Sequence, residues 1–177
     1  DTLEHCGGLD RDAAAALRQR VRSLREKAWS CYDLEHALFL APGEIRTCCK
    51  RFFRDGVEKG DVKIADVTGR ETPDDLINKA VAGKKAIKRT LNTGPETGEE
   101  NECWGCPYAE FRAWGSDPDL DLHFLSVEYH TVCPMRCRYC SPTFYGGAQP
   151  RYDPVAVLDA LSRRGTLARC RTVVFGG

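Results

Sequence analysis

An α/β fold preceded by a smaller α+β unit is what this sequence predicts, and three observations predict it. After residue 118 the chain reads strand, loop, helix, strand, the opening of a parallel α/β unit. Before it, a long capped helix accompanies an apolar hairpin. Between the two patterns lies "GSDPDLD" at 115–121, rich in the residues that break regular structure. Domains are accordingly expected at 1–118 and 119–177.

Taken in order, "DRDAAAALRQRVRSLREKAW" from Asp10 places Leu17, Val21, Leu24 and Ala28 at helical spacing, with Arg18, Arg22 and Arg25 on the solvated side. "HALFLAPGEIRTCCKRFF" gives two strands about a Pro42-Gly43 turn, a hairpin. A second helix starts at Thr72, whose hydroxyl can cap it. Pro73 takes the first helical position, and Asp74 and Asp75 sit where the dipole favours acids. It runs to about Leu91, and the dipole alone accounts for Lys84, Lys85, Lys88 and Arg89 near its end. Beyond the linker, "LHFLSVEY" is a strand, "DPVAVLDALSRRG" a helix capped by Asp153, and "RTVVFGG" an apolar strand ending in two glycines.

Lys+Arg 26 balance Asp+Glu 26, so no overall field draws the chain to nucleic acid or to an acidic membrane surface. No apolar run approaches the roughly 20 residues of a membrane helix, and the start lacks a secretory pattern. The expectation is a cytoplasmic protein with neither nucleic acid nor membrane as partner. In that reducing setting the 10 cysteines point to metal ligation rather than a disulfide framework.

"HTVCPMRCRYCSPT" sets Cys133, Cys137 and Cys140 as C-x3-C-x2-C directly after a predicted strand. Four thiolates close a zinc site or fully ligate a cluster, whereas three on a cubane leave one iron open. The strand delivers them to the end where α/β folds bind ligands. "CPMRCRYC", with its aromatic before the third cysteine, resembles the signature of the radical S-adenosylmethionine (radical SAM) enzymes, and "VVFGG" is similar to the second strand of that family. The resemblance implies the start of a partial (β/α) radical SAM barrel. It also implies a 4Fe-4S cluster held by Cys133, Cys137 and Cys140, with S-adenosylmethionine chelating the open iron. Reductive cleavage would give a 5'-deoxyadenosyl radical that abstracts hydrogen from substrate. Tyr139 would lie by the adenine, and Gly176 and Gly177 would approach the methionine amino group, where a missing side chain admits close backbone. An electron donor such as flavodoxin or ferredoxin is implied as a partner. The sequence stops at Gly177, before the acidic residue of the family's motif, so the expectation is the N-terminal part of a longer enzyme, inactive alone.

The first half has its own pattern, Cys31-x11-Gly43-x4-Cys48 and then "CWGC" at Cys103 and Cys106. Two ligands from a hairpin and two from a tight turn complete one shell. This resembles the SPASM and twitch auxiliary-cluster modules of radical enzymes, here preceding the core, and implies one auxiliary 4Fe-4S cluster. A structural zinc site uses the same spacings and remains the alternative. Cys48 suits the spacing better than Cys49, and on a strand the two would face opposite ways. Cys6 and Cys170 read as small buried residues. His5, His36, His123 and His130 read as ordinary histidines, with Glu128 and His130 close enough to the cluster loop to line it. Substrates of such relatives make a peptide the first expectation and a carbohydrate or other small molecule the second. The competing class is a non-catalytic zinc-binding interaction module.

Overall fold

The computed structural model describes residues 11–94, 101–115, 120–128 and 149–176. Its centre is a five-stranded sheet built from β2 (Ala37–Ala41), β3 (Glu44–Arg46), β6 (Lys63–Asp66), β8 (Phe124–Glu128) and β9 (Thr172–Gly176) in the order β6-β3-β2-β8-β9. β2 and β3 form the expected antiparallel hairpin about Pro42-Gly43, and β6 adds antiparallel to β3. β8 lies parallel to β2, and β9 parallel to β8. All five residues of β2, "ALFLA", are buried, with Leu38 and Leu40 on the face that the helices cover.

Two helices cover this sheet. α3 (Pro73–Thr93) opens with a capping box: Thr72 Oγ1 accepts from the Asp75 N–H at 3.2 Å, and the Asp75 carboxylate accepts from the Thr72 N–H at 3.0 Å. α4 (Pro154–Arg163) is capped by Asp153, which accepts from the Val155 and Ala156 N–H groups. Leu76, Ile77 and Ala80 of α3 and Val157, Ala160 and Leu161 of α4 meet Leu38, Leu40, Leu125 and Val127 of the sheet in one core. Each large side chain so buried is worth about 1.5–3 kcal/mol. Arg164 clamps the two helices, its Nε donating to Asp74 at 2.8 Å and its Nη1 to Asn78 at 2.9 Å.

α3 lies so close to β6 that a Cβ at Gly83 would stand 2.3 Å from the Ile64 carbonyl oxygen and 2.7 Å from the Ile64 Cβ. Gly83→Ala should therefore lower the thermal midpoint, with a net cost of about 1–2 kcal/mol. The gain in helix propensity, about 1 kcal/mol, is outweighed by overpacking against backbone. An unchanged or raised midpoint would refute the close approach.

Three expectations are corrected. The boundary at 118 does not divide the sheet, since β2, β3 and β6 come from before it and β8 and β9 from after it; the two stretches share one core because β2 satisfies its second edge with β8. The stripe of α1 (Arg11–Arg25) is not packed: Leu17 and Leu24 are exposed. β3 ends at Arg46, so Cys48 and Cys49 sit in a connection, and the next strands, β4 (Arg51–Arg54) and β5 (Val57–Gly60), pair with each other in a separate two-stranded sheet among the described residues. A further small sheet joins β1 (Ala28–Ser30) to β7 (Glu110–Arg112). The coarse α/β class holds. Among the described residues there is one parallel β-α-β unit, β8-α4-β9, in an open mixed sheet.

Candidate metal centre

Three separate stretches of chain bring four cysteines to one place. Cys31 caps the short helix α2 (Tyr32–His36), its Sγ accepting from the Leu34 N–H at 3.3 Å. Cys48 follows β3, and its Sγ accepts from the Lys50 N–H at 3.2 Å. The neighbouring Thr47 ties the two stretches together: its N–H donates to the Val62 carbonyl at 2.9 Å and its hydroxyl to the Asp33 carbonyl at 3.0 Å. N–H···S bonds of this kind favour the thiolate over the thiol.

The third stretch carries Cys103 and Cys106, fastened to the end of α3 by Asn101. This buried side chain donates to the Ile87 carbonyl at 2.9 Å and to Thr90 Oγ1 at 2.6 Å, and accepts from the Cys103 N–H at 2.7 Å. Gly105 supplies the left-handed step (φ +70°) of the C-x2-C turn, closed by the Cys106 N–H to the Cys103 carbonyl at 3.2 Å. Arg54 of β4 secures it from outside, donating to the Trp104 carbonyl at 2.7 Å.

Cys31, Cys48, Cys103 and Cys106 line a single pocket walled by Leu34, Phe52, Val62 and Leu91. Cys49 does not line it and is exposed. The spacing argument for Cys48 over Cys49 thus agrees with their placement, although a connection rather than a strand separates them. Gly43 of the same motif has no crowded neighbour, the nearest being the Arg151 guanidinium at 3.9 Å.

Electrostatics say what would complete the site. Burial pushes the Cys48 and Cys103 thiols up to about 12, reinforced by Asp33 and the Cys31 thiol at Cys48 and by the Cys31 and Cys106 thiols at Cys103. Cys31 is raised by burial too, against the pull of its Leu34 N–H bond. Without a cation, these groups stay protonated. A metal or cluster held by these cysteines would remove the mutual repulsion and displace their protons.

Two lysines face this charge. Burial works against the Lys50 ammonium, but Asp33 at 3.0 Å and the Cys48 and Cys31 thiols more than offset it. Lys84 is buried, its Nζ donating to the Leu34 carbonyl at 3.0 Å and the Asp33 carbonyl at 3.4 Å. Desolvation brings it down to about 7 although Glu35, Cys31 and Asp33 pull the other way. The helix dipole had accounted for Lys84 as a surface residue. The missed signal is its helical spacing from Ile77, Ala80 and Leu91, which puts it on the buried side of α3.

The donor set fits a metal that takes four sulfurs. Free space in the pocket is about 20 Å³, little more than a single water requires. No three of the described sulfurs lie within 4.8 Å of one another, so a single tetrahedral ion, with sulfurs about 3.8 Å apart, would have to draw them inward.

Of the other expected site residues, Cys133, Cys137, Cys140, Tyr139, His130 and Gly177 lie outside the described residues, as do Cys6 and His5. Gly176 ends β9 opposite Glu128, the last residue of β8. Glu128 is half-buried and its carboxyl raised, by burial first, with Asp61 and Glu44 adding to the rise and Arg46 opposing it. Tyr152, which the sequence did not single out, has a buried hydroxyl without a hydrogen-bond partner among the described residues and a phenol raised by burial and by Glu128. Cys170 packs against the core, as a small apolar side chain would. Compared with family models, curated proteins and solved structures, the chain matches none.

Proposed function

We propose that this chain serves radical S-adenosylmethionine chemistry, with an auxiliary iron-sulfur centre held by Cys31, Cys48, Cys103 and Cys106 and the radical cluster held by Cys133, Cys137 and Cys140. The observation that carries the reading is the convergence of the first four cysteines, from three stretches of chain, into one apolar pocket. Topology supports the second part: β8, α4 and β9 form a parallel unit, and the C-x3-C-x2-C stretch follows the carboxyl end of β8. When bound, the radical cluster supplies one electron to the sulfonium of S-adenosylmethionine.

The chain's own residues have separable tasks. Leu34, Val62 and Leu91 keep water from the sulfurs. The Leu34 and Lys50 N–H groups and the Lys50 and Lys84 ammoniums offset the negative charge of four thiolates. Four protein ligands leave no open position, so this centre suits electron transfer or scaffolding rather than gripping a substrate. Tyr139, Gly176 and Gly177 would contact S-adenosylmethionine. The substrate proposed is a peptide, with a carbohydrate or other small molecule as the alternative, and the reductant a flavodoxin or ferredoxin. A cytoplasmic location belongs to the same proposal; among the described residues no helix is long and apolar enough to cross a membrane.

A second reading, a zinc-binding interaction module, rests on the same four cysteines lining one pocket, because a tetrathiolate zinc site uses the same donors. Iron, sulfide and zinc content after anaerobic reconstitution, with Mössbauer spectra, separates the two. The proposed enzyme holds about eight irons and a Cys133/Cys137/Cys140→Ala variant about four. About four irons in the parent and none in the variant, with zinc in both, would keep the radical site and make the first centre structural. Zinc alone in both would overturn the enzyme.

A further inference from the structure

His36 and His123 lie far apart in the sequence and meet as neighbours because β2 and β8 pair in parallel. Each stands immediately before its strand, where the register sets Ala37 against Phe124, and the His123 N–H donates to the His36 carbonyl at 2.9 Å. Their rings stack with centroids 4.1 Å apart and planes within 3°, so one ring turns out of the stack when both aim a nitrogen lone pair at a shared ion. Asp121 faces both, its Oδ2 lying 3.2 Å from His123 Nε2 and 3.5 Å from His36 Nδ1. One donor atom from each residue can be chosen so that all three lie within 4.8 Å of one another.

Two further observations set this group apart from a chance cluster. His123 Nε2 is buried and makes no hydrogen bond among the described residues; Asp121 is near enough for an ion pair but not placed to accept one. A buried ring nitrogen without a partner is costly, and a metal would satisfy it. The other nitrogen, Nδ1, lies 3.1 Å from the Tyr32 hydroxyl. In the tautomer with its proton on Nδ1, that contact is a donation to the Tyr32 hydroxyl and the Nε2 lone pair is left for an ion, the support that ligating histidines require.

We propose that His36 Nδ1, His123 Nε2 and Asp121 Oδ2 bind a single divalent transition ion of the zinc type, at a site separate from the cysteine centre. Two ligands each about 2.1 Å from a tetrahedral ion stand about 3.4 Å apart, and the two carboxylate-to-imidazole distances, 3.2 and 3.5 Å, bracket that value. Two imidazoles and a carboxylate are the donors of a borderline ion, with water in the fourth position. The site lies at the amino ends of β2 and β8, whereas the C-x3-C-x2-C stretch follows the carboxyl end of β8. Two existing contacts compete with the ion: Arg169 Nη2 at 2.8 Å from Asp121 Oδ2, and the Asp121 carbonyl at 3.1 Å from His36 Nδ1. The ion displaces the proton that His36 would otherwise share with that carbonyl.

The test uses the full chain, reconstituted anaerobically with iron and sulfide and then dialysed to equilibrium against zinc. One zinc per chain should bind with a nitrogen and oxygen shell and imidazole back-scattering in its X-ray absorption spectrum. A His36→Ala/His123→Ala variant should lose that zinc, and Tyr32→Phe should bind it about 10–100-fold more weakly. Arg169→Gln should bind it more tightly, a gain that misfolding cannot produce. Zinc bound only through sulfur in the parent, or a nitrogen and oxygen shell that survives in the double histidine variant, would overturn the site. Because sulfur and nitrogen shells are read separately, a cysteine centre that takes zinc in place of iron leaves the outcome legible.

Discussion

Replacing Cys31, Cys48 or Cys103 by serine is expected to weaken metal binding at the cysteine centre by at least about a hundredfold, while Cys49→Ser leaves it intact. A structural tetrathiolate site is worth about 10–16 kcal/mol in all, so one ligand carries roughly 3 kcal/mol, or about two decades in affinity. The contrast between Cys48 and Cys49 is the sharper half of the expectation. Both follow β3, but only Cys48 lines the pocket with the other three thiols and accepts the Lys50 N–H bond. Metal content across the serine series checks it, together with urea unfolding with and without chelator. Under saturating metal, a hundredfold weaker site costs the fold about 2.7 kcal/mol. Metal retained in Cys48→Ser and lost in Cys49→Ser would reverse the ligand assignment. Retention throughout would dissolve the centre altogether.

Lys84→Met is expected to abolish a rise in stability between about pH 7 and pH 8 in the metal-free protein. In the fold, desolvation holds the Lys84 ammonium down to about 7 against an ordinary 10.5, so between those values the unfolded chain binds the extra proton. Stability therefore rises with pH across that window, and the full penalty, on the order of 5 kcal/mol, is felt only below it. Cys48 and Cys103 act in the opposite sense. Their folded thiols lie at about 12 against 9.0, so the stability they contribute is complete below 9.0 and is lost as pH climbs toward 12. Unfolded thiols begin to ionise as pH nears 9.0, so the range from about pH 7 to about pH 8 isolates the lysine, at about 1 kcal/mol. Methionine keeps the bulk and removes the charge, though it leaves the Leu34 and Asp33 carbonyls without this donor. Urea midpoints at the two pH values are the measurement. A slope that persists in Lys84→Met would show that another group titrates there.

What could be read from the sequence was local. Thr72 with Asp75, Asp153 before Pro154, and Pro42-Gly43 between apolar runs each specify a cap or a turn within a few residues, and all three form as expected. The grouping of Cys31, Cys48, Cys103 and Cys106 was legible for a different reason: sulfur ligands are few, so spacing restricts how they can combine. What escaped was long-range. Nothing near "ALFLA" announces that its second edge is β8, and "GSDPDLD" looks like a domain linker whether or not the sheet continues across it. The same pairing hid His36 and His123, each unremarkable until register sets them side by side. Lys84 was masked by a competing explanation, since cations near a helix end need no other account. The stripe of α1 shows the reverse error, because helical periodicity reports a helix but not a partner for it.

The position of β2 in the middle of the sheet also orders events as the chain leaves the ribosome. The four pocket cysteines are all synthesised by Cys106, whereas the most apolar strand waits for residues 124–128 to cover its second edge. Long loops close slowly, so the parallel pairing should be the late step and the cysteine turn an early one. During that interval β2 is an open template for a neighbouring nascent chain. Metal captured early would anchor α2 and the hairpin beside it and shorten the loop that β8 must still close. Pulse-labelled hydrogen exchange during refolding, with and without metal, reads this directly: protection at Leu34 and Lys50 should precede protection at Leu125 and Val127. Simultaneous protection of both sets would mean that the sheet and the centre form as one unit.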